Sequence, residues 1–430
     1  MTSARNWKQT KLGDLHTTQK GFAFKSLWYS DNGHPIVKVS DFTVDSIDTN
    51  SLTRIPYEIV EKYLRYELRE GDVVVQTVGS WPSNPASVVG KCISVPRLAD
   101  KSLLNQNAVR LDPNDRIVKR FLYYSLRSPM FCSYIVGTAQ GAASQAAITL
   151  DAIRNYVLSL PPLPTQHKIA SILSNYDELI ENNTRRIKIL EEMAQSIYRE
   201  WFVNYRFPGH EKVKMVDSPL GIIPEGWEVK SLSETILVNP TVQVRKLGKK
   251  PYVPMSSLSN ETMVISNIED REGNSGSKFM NKDTLFARIT PCLENGKTGF
   301  VRFLQNENDI ALGSTEFIVF RARQLTPEYI YLLSRSDLLR DHAIKSMTGA
   351  TGRQRVQVKC FDNFLLSVPD TNLLNKFTKN VRPSFELIFL LNEFVNILRK
   401  TRDLLLPRLI SGEIDVTDLD IQVPDDETVS

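Results

Sequence analysis

Two stretches of the chain place apolar residues at alternating intervals of three and four. In the first, Leu173, Tyr176, Ile180, Asn183, Ile187, Leu190, Ala194, Ile197 and Trp201 follow this spacing without a break. Adding 208 to each number gives Val381, Ser384, Ile388, Leu391, Val395, Leu398, Arg402, Leu405 and Leu409, of which seven of nine are apolar. The spacing keeps one helical face apolar and predicts two long helices packed with coiled-coil geometry. The 29 residues from Leu173 to Trp201 make a rod of roughly 43 Å at 1.5 Å per residue. Asn183 interrupts the first seam, either as a polar register pin or as a solvated defect near a frayed turn. Pro383 and Pro407 are expected at the first turn or a kink, and in the last turns, of the second helix, because proline removes a ladder donor.

The segments before each rod mix β-branched runs, such as DVVVQTV from Asp72 and EFIVF from Glu316, with helical stretches such as KRFLYYSL from Lys119. They also resemble one another in order. NWKQTKL (Asn6) pairs with GWEVKSL (Gly226), PIVKVSDF (Pro35) with PYVPMSSL (Pro251), and EGDVVVQ (Glu70) with NKDTLFA (Asn281). FLYYSLRS (Phe121) then pairs with YIYLLSRS (Tyr329), and LSLPP (Leu158) with LSVPD (Leu366), so the offsets run from 208 to 220. Ordered matches of this kind indicate an internal duplication. The expected fold class is α+β, with two duplicated lobes separated by two long helices packed as an antiparallel, pseudo-twofold coiled coil. The expected boundaries are lobes at 1–160 and 207–369, helical regions at 161–206 and 370–412, and an acidic tail at 413–430.

Composition narrows the class without naming it. With 41% hydrophobic and 24% charged residues among 430, the chain is an ordinary globular one of two to three domains, not a disordered or fibrous one. The most apolar window, FELIFLLNEFVNIL, is cut by Glu386, Asn392, Glu393 and Asn396, so no membrane span is expected. Cys92, Cys132, Cys292 and Cys360 form no CxxC pair and read as buried thiols of a reducing cytoplasm. The net charge of +4 divides unevenly: +5 over 1–160, zero over 161–206, +3 over 207–369 and −4 over 370–430. The seven acids from Glu413 to Glu427, with no Lys or Arg among them, predict a solvated tail.

No catalytic signature survives inspection. Gly296-Lys297-Thr298 lacks the earlier glycine of a phosphate-binding loop, since that position is Pro291. There is no GxSxG or HExxH, and the five histidines, 16, 34, 167, 210 and 342, read as surface or capping residues. Asn239-Pro240 is followed by Thr241, short of an amino-methyltransferase tetrad. A non-enzyme with no cofactor or metal of its own is expected.

Binding has better candidates in four loops. TVGSWPSNP from Thr77, followed by Gly90-Lys91, and ITPCLENGK from Ile289 occupy matching places in the two copies, and GTAQGAASQAA from Gly137 and TGATGRQR from Thr348 form a second matching pair. Polar loop tips of this kind carry function. Arg353, Gln354 and Arg355 suit double-stranded DNA, because arginine bonds guanine O6 and N7 with two donors and glutamine does likewise to adenine. Candidate DNA-contacting residues in the first copy are Lys38, Ser40, Thr77, Ser80, Trp81, Asn84, Lys91, Gln140, Ser144 and Gln145. In the second copy they are Ser256, Ser257, Thr290, Glu294, Asn295, Lys297, Thr348, Thr351, Arg353, Gln354 and Arg355. Excesses of +5 and +3 are small for a binder driven by phosphate neutralisation, which points to a partner that supplies part of the clamp. A rod of roughly 43 Å is commensurate with one DNA turn of about 34 to 36 Å.

These residues resemble a known family. LPPLPTQHKIASILSNYDELIENNTRRIKILEEMAQSIYREWF, Leu160 to Phe202, is similar to the central helical region of the specificity subunits of type I restriction-modification systems. LLLPRLISGEIDV, Leu404 to Val416, resembles their C-terminal region, and GFAFKS (Gly21 to Ser26) and ITPCLENGK resemble segments of their target-recognition domains. Two departures stand out: Thr165 replaces a common acidic residue, and the second helical region opens PDTNLLNKF from Pro369, without Pro-Leu-Pro or the usual glutamine.

The resemblance implies a cytoplasmic, non-catalytic subunit of a phage-defence system. Each lobe would read half of a split, asymmetric DNA site, and the helices would serve as a ruler. Two modification subunits that bind S-adenosylmethionine and methylate adenine would dock on helices and lobes, and restriction subunits using ATP and Mg would join them. From the residues alone, a stand-alone DNA-binding regulator and a coiled-coil scaffold remain open.

Overall fold

The computed structural model describes residues 7–43, 46–82, 88–141, 145–244, 247–350 and 352–423. The chain divides into two compact units, one formed by 1–179 with 397–430 and the other by 180–396.

In the first unit, strand Lys8–Lys11 pairs antiparallel with Val157–Leu160 and ties the start of the lobe to its end. Between them lies an antiparallel sheet in the order His16–Lys20, Ala108–Pro113, Val73–Gln76, Cys92–Ser94. A smaller sheet orders Arg54–Ile55, His34–Val37 and Leu103–Leu104, the last two parallel. The run Val73-Val74-Val75 shows why no polar alternation marks its strand. Val73 and Val75 face a core shared with helices Lys119–Arg127 and Pro129–Gly137, while Val74 faces a second core with Val37 and Leu104. Successive side chains point to opposite faces, and here both faces are buried. Ser128 separates the two helices and caps the second, its hydroxyl accepting from the Phe131 amide at 3.3 Å.

The second unit repeats the plan. Glu228–Ser231 pairs with Leu365–Val368, and the main sheet runs Ile236–Val238, Phe317–Ala322, Thr284–Ala287, Thr298–Phe300. The smaller sheet runs Glu269–Glu272, Lys249–Val253, Ala311–Gly313, Ser277–Phe279, again with one parallel pair. Helices Pro327–Ser334 and Asp337–Lys345 begin 208 residues after their counterparts. A hairpin, Met215–Ser218 with Gly221–Pro224, lies between the first long helix and this lobe.

The long helices are Leu163–Tyr198, continued by a wider turn at Arg199–Val203, and Thr371–Ile410. At 36 and 40 residues they exceed the seam read from the sequence, reaching about 54 and 60 Å at 1.5 Å per residue. In the first unit, Ile169, Ala170 and Leu173 share a core with Leu406, Leu409 and Ile410, and Asp177 meets Arg402, so the segments pack antiparallel. In the second, Ile187, Ala194, Tyr198 and Trp201 share a core with Phe377, Val381, Phe385, Ile388 and Leu391. Of the other seam positions, Ile180, Val395 and Leu398 are buried, while Leu190, Ile197 and Leu405 are partly buried.

Several expectations need correction. Asn183 is buried inside a continuous helix, so it is no solvated defect, and its side-chain Oδ1 accepts from Arg186 Nη1 at 3.4 Å. Pro383 stands well inside the second helix rather than in its first turn, and its Cδ takes the place of a donor to the Lys379 carbonyl. The acidic tail is anchored at a few points, while its described acids, Glu413, Asp415, Asp418 and Asp420, are exposed as expected. Val416 is buried in the first unit's core, and Lys168 Nζ donates to the carbonyls of Thr417 and Leu419 at 2.7 and 2.8 Å. Ser171 Oγ donates to the Gln422 carbonyl at 2.8 Å. These contacts satisfy main-chain acceptors that the acidic side chains leave free to face water. Of the cysteines only Cys92 is buried. Cys132 is exposed, and Cys292 and Cys360 are half-buried. His16 is a buried histidine, not a surface one, and burial pushes its pKa below the ordinary value.

Candidate nucleic-acid interface

In each lobe the two candidate loops are joined by main-chain hydrogen bonds. In the second lobe Thr348 and Arg355 exchange N–H···O bonds of 3.1 and 2.9 Å, and the Val356 amide donates to the Arg288 carbonyl at 2.9 Å. In the first, Gln140 and Ala147 exchange bonds of 2.9 and 2.8 Å, and the Ile148 amide donates to the Thr77 carbonyl at 2.9 Å. Gln140, Ala147 and Ile148 stand 208 residues before Thr348, Arg355 and Val356. The backbone frame is therefore the same, and the side chains it carries differ.

A second brace is also shared. Lys91 Nζ donates to the Phe42 carbonyl at 3.3 Å, and Lys297 Nζ to the Met255 carbonyl at 3.2 Å. Each lysine thus ties its loop to the turn that carries Lys38 and Ser40, or Ser256 and Ser257. The preceding Gly90 and Gly296 both have positive φ, +81° and +76°, and a Cβ there would lie 2.4 Å from Ile135 Cγ2 or Arg340 Nη1. The left-handed turn favours glycine at both positions, and at Gly90 the close approach of Ile135 demands it as well, whereas the Arg340 tip can swing aside.

Several candidates serve the frame. Thr290 is buried, and it both donates its amide to the Gln354 carbonyl (3.1 Å) and accepts from the Gln354 amide at its hydroxyl (3.0 Å). Ser257 is buried and its hydroxyl donates to the Asn267 carbonyl at 3.0 Å. Lys38 Nζ donates to Thr53 Oγ1 and lies 5.6 Å from the Tyr29 ring centre. Trp81 packs partly buried against the lobe core, and the Ser80 carbonyl accepts from the Val89 amide at 3.0 Å. The Thr348 hydroxyl accepts from Gln357 Nε2 at 2.5 Å. Arg355 does not extend free to solvent as a reader would. Its guanidinium grips Glu316 through contacts of 2.7, 2.9 and 3.0 Å, and the carboxylate holds its pKa above the ordinary arginine value.

The exposed candidates are Ser40, Gln140 and Gln145 in the first lobe, and Ser256, Glu294, Asn295, Thr348 and Arg353 in the second, with Gln354 half-buried. Asn84, Ser144 and Thr351 lie outside the described residues.

Sequence reading passed over Glu316, which both holds Arg355 and accepts the Arg288 amide at its carbonyl, 2.9 Å. Inside EFIVF it reads only as a strand start. It also passed over Asp283, buried in the turn before its strand, which accepts from the Met280 amide at 2.8 Å and from Arg321 at 2.6 and 2.8 Å. Burial raises the Asp283 pKa, against the pull of Arg321 and that amide. Asp72 accepts from the Arg69 amide at the equivalent turn, also 2.8 Å. Among the described residues no cluster of His, Cys, Asp and Glu is placed to hold a metal, and no helix is long and apolar enough to cross a membrane.

Residues 4–192 match the family described as the type I restriction modification DNA specificity domain. The chain is 21% identical over 478 aligned positions to the HindI specificity subunit of Haemophilus influenzae, covering 95% of this chain and all of that one. Over most of its length this chain is similar to type I restriction specificity subunits. It is also 25% identical to the MjaIX specificity subunit of Methanocaldococcus jannaschii over 73% of each chain. A similar fold is seen in the crystal structure of a type I restriction-modification S subunit from M. genitalium. It superposes with a TM-score of 0.54 at 16% identity, over 95% of this chain and 97% of that one.

Proposed function

We propose that this chain is the DNA-reading, non-catalytic subunit of a type I restriction-modification assembly, each lobe addressing one half of a split, asymmetric site. The observation that carries this reading is the pair of loop frames, bonded alike at a 208-residue offset yet tipped with different side chains. Two readers of one ancestry and unlike chemistry suit an asymmetric site, since base edges are distinguished by donor and acceptor pattern.

The reactions belong to partners. Modification subunits carry S-adenosylmethionine and methylate adenine, and restriction subunits supply ATP- and Mg-dependent cleavage. A docking surface for the modification subunits is available on the second unit's part of the second helix, where Leu390 and Phe394 expose 61 and 47% of their surface. A spacing of four places both on one helical face. Exposed apolar rows of this kind mark association surfaces.

The test is modified-base sequencing of DNA from cells that express the chain with the modification subunit encoded beside it. A bipartite adenine-methylated motif, lost when either chain is omitted, is the expected result. A soluble complex that leaves DNA unmethylated overturns the reading.

A further inference from the structure

Of the two arginines in the second lobe's tip, only one is free to recognise a ligand. Arg355 is neutralised by Glu316, whereas Arg353 is exposed and its side chain has no partner among the described residues. The backbone under Arg353 is fixed on both sides. Its amide donates to the Ala350 carbonyl at 2.9 Å, Gln354 is bonded twice to Thr290, and Arg355 twice to Thr348.

The position 208 residues before Arg353 is Gln145 in the first lobe. Gly141 and Gly349, again 208 apart, have φ of +154° and +128°. A Cβ on them would meet the carbonyl oxygens of Gln145 at 2.1 Å and Arg353 at 3.0 Å. The fold thus holds one outward side chain at one place in each lobe, neutral in the first and cationic in the second.

Resting on the DNA-reading function proposed above, the geometry points to Arg353 as the residue with which the second lobe recognises a guanine in its half-site. Arg355 and Glu316 act as a positioning pair that sets the Arg353 turn. A planar guanidinium matches guanine O6 and N7 with two parallel donors, a fit that the point charge of lysine does not reproduce. A rigid turn keeps the ordering cost of that contact small.

The experiment uses the whole chain assembled with its modification subunits and reads the methylated motif by modified-base sequencing. It compares wild type with Arg353→Ala, Arg353→Lys, Arg355→Ala and the charge swap Arg355→Glu with Glu316→Arg. Expected is a guanine in one half-site whose discrimination over other bases falls about 5- to 150-fold in both Arg353 variants, with the other half-site and the spacing unchanged. Arg355→Ala should blur the same half-site, and the charge swap should restore it, which a loss of folding alone would not do. An unchanged motif in Arg353→Ala overturns the inference. So does a lysine variant that reads like wild type while alanine weakens methylation uniformly, because Arg353 then contacts phosphate. A wild-type complex that yields no bipartite motif overturns the function itself, and is distinguished from both by failing before any variant is compared.

Discussion

The helix pair is fastened differently in the two units. In the first, Arg402 is buried to 3% exposure and donates to Asp177 at 2.5 Å, while Tyr124 Oη donates to the other carboxylate oxygen at 2.7 Å. Gln166, also buried, accepts the Val118 amide at 2.8 Å and donates to the carbonyls of Arg116 and Pro161 at 3.1 and 2.9 Å. A shift of 208 residues in either direction turns these four positions into Ala194, Phe385, Leu332 and Leu374. All four are buried, and Phe385 meets the rings of Phe300 and Tyr331 at 5.3 and 5.6 Å. One duplicated frame thus accepts a charged fastening at one end and an apolar one at the other. The charged version adds selectivity, because pairing the first helix with a copy of itself would face Asp177 with Ala194 and leave the carboxylate only the more distant Arg127, at 3.9 Å.

That contrast can be tested by stability measurements, beginning where the effect is greatest. Phe385→Ala removes a buried aromatic and should cost about 3 to 5 kcal/mol in denaturant unfolding of the second unit. The first unit's transition should stay in place. Arg402→Met removes the close cation of Asp177, leaving Tyr124 and the more distant Arg127, and should cost up to about 3 kcal/mol in the first unit. Combining it with Asp177→Leu should recover most of that loss, since a well-packed apolar pair replaces a buried ion pair at little net cost. If the double variant is as unstable as the single one, the two ends do not differ in the way described.

The smallest effect concerns Glu191, the buried acid on the second unit's side of the first helix. It accepts from the Met263 amide at 2.5 Å, Thr262 Oγ1 at 2.9 Å and Tyr331 Oη at 3.3 Å, and burial holds its pKa above the ordinary value. A carboxyl raised in the folded state binds more protons folded than unfolded. The second unit therefore loses stability as pH rises from the usual glutamate range through the raised folded value. Glu191→Gln should flatten that slope with a change of about 1 kcal/mol or less at neutral pH. Unfolding midpoints at mildly acidic and neutral pH measure it, and an undiminished slope would assign the pH dependence elsewhere.

How much of this was legible in the sequence follows from how each feature is encoded. The seam was legible because helix–helix packing imposes a period, and the duplication because buried frames keep their apolar order. The seam itself starts at Leu173, short of the helix start, because buried Thr165 and Leu373 lie off the three-four spacing and Gln166, which lies on it, is polar. The anchoring of the tail was missed because Lys168 and Ser171 reach main-chain carbonyls, to which any side chain could be attached. At the candidate interface, composition marked the loops but could not separate Arg353 from Arg355. That distinction depends on Glu316, 39 residues away in sequence and adjacent only after folding.

The C-terminal segment fastened by Lys168 and Val416 also governs the order in which the molecule can be made. The second unit is one uninterrupted stretch, 180–396, and can close while still attached to the ribosome. The first needs residues from 397 onward to complete a core that it began to assemble before residue 180. At ordinary elongation rates that gap lasts on the order of 10 to 40 s. For that interval the nascent first lobe presents the apolar face of Ile169 and Leu173 uncovered, and the part of the molecule born first is the last to be finished.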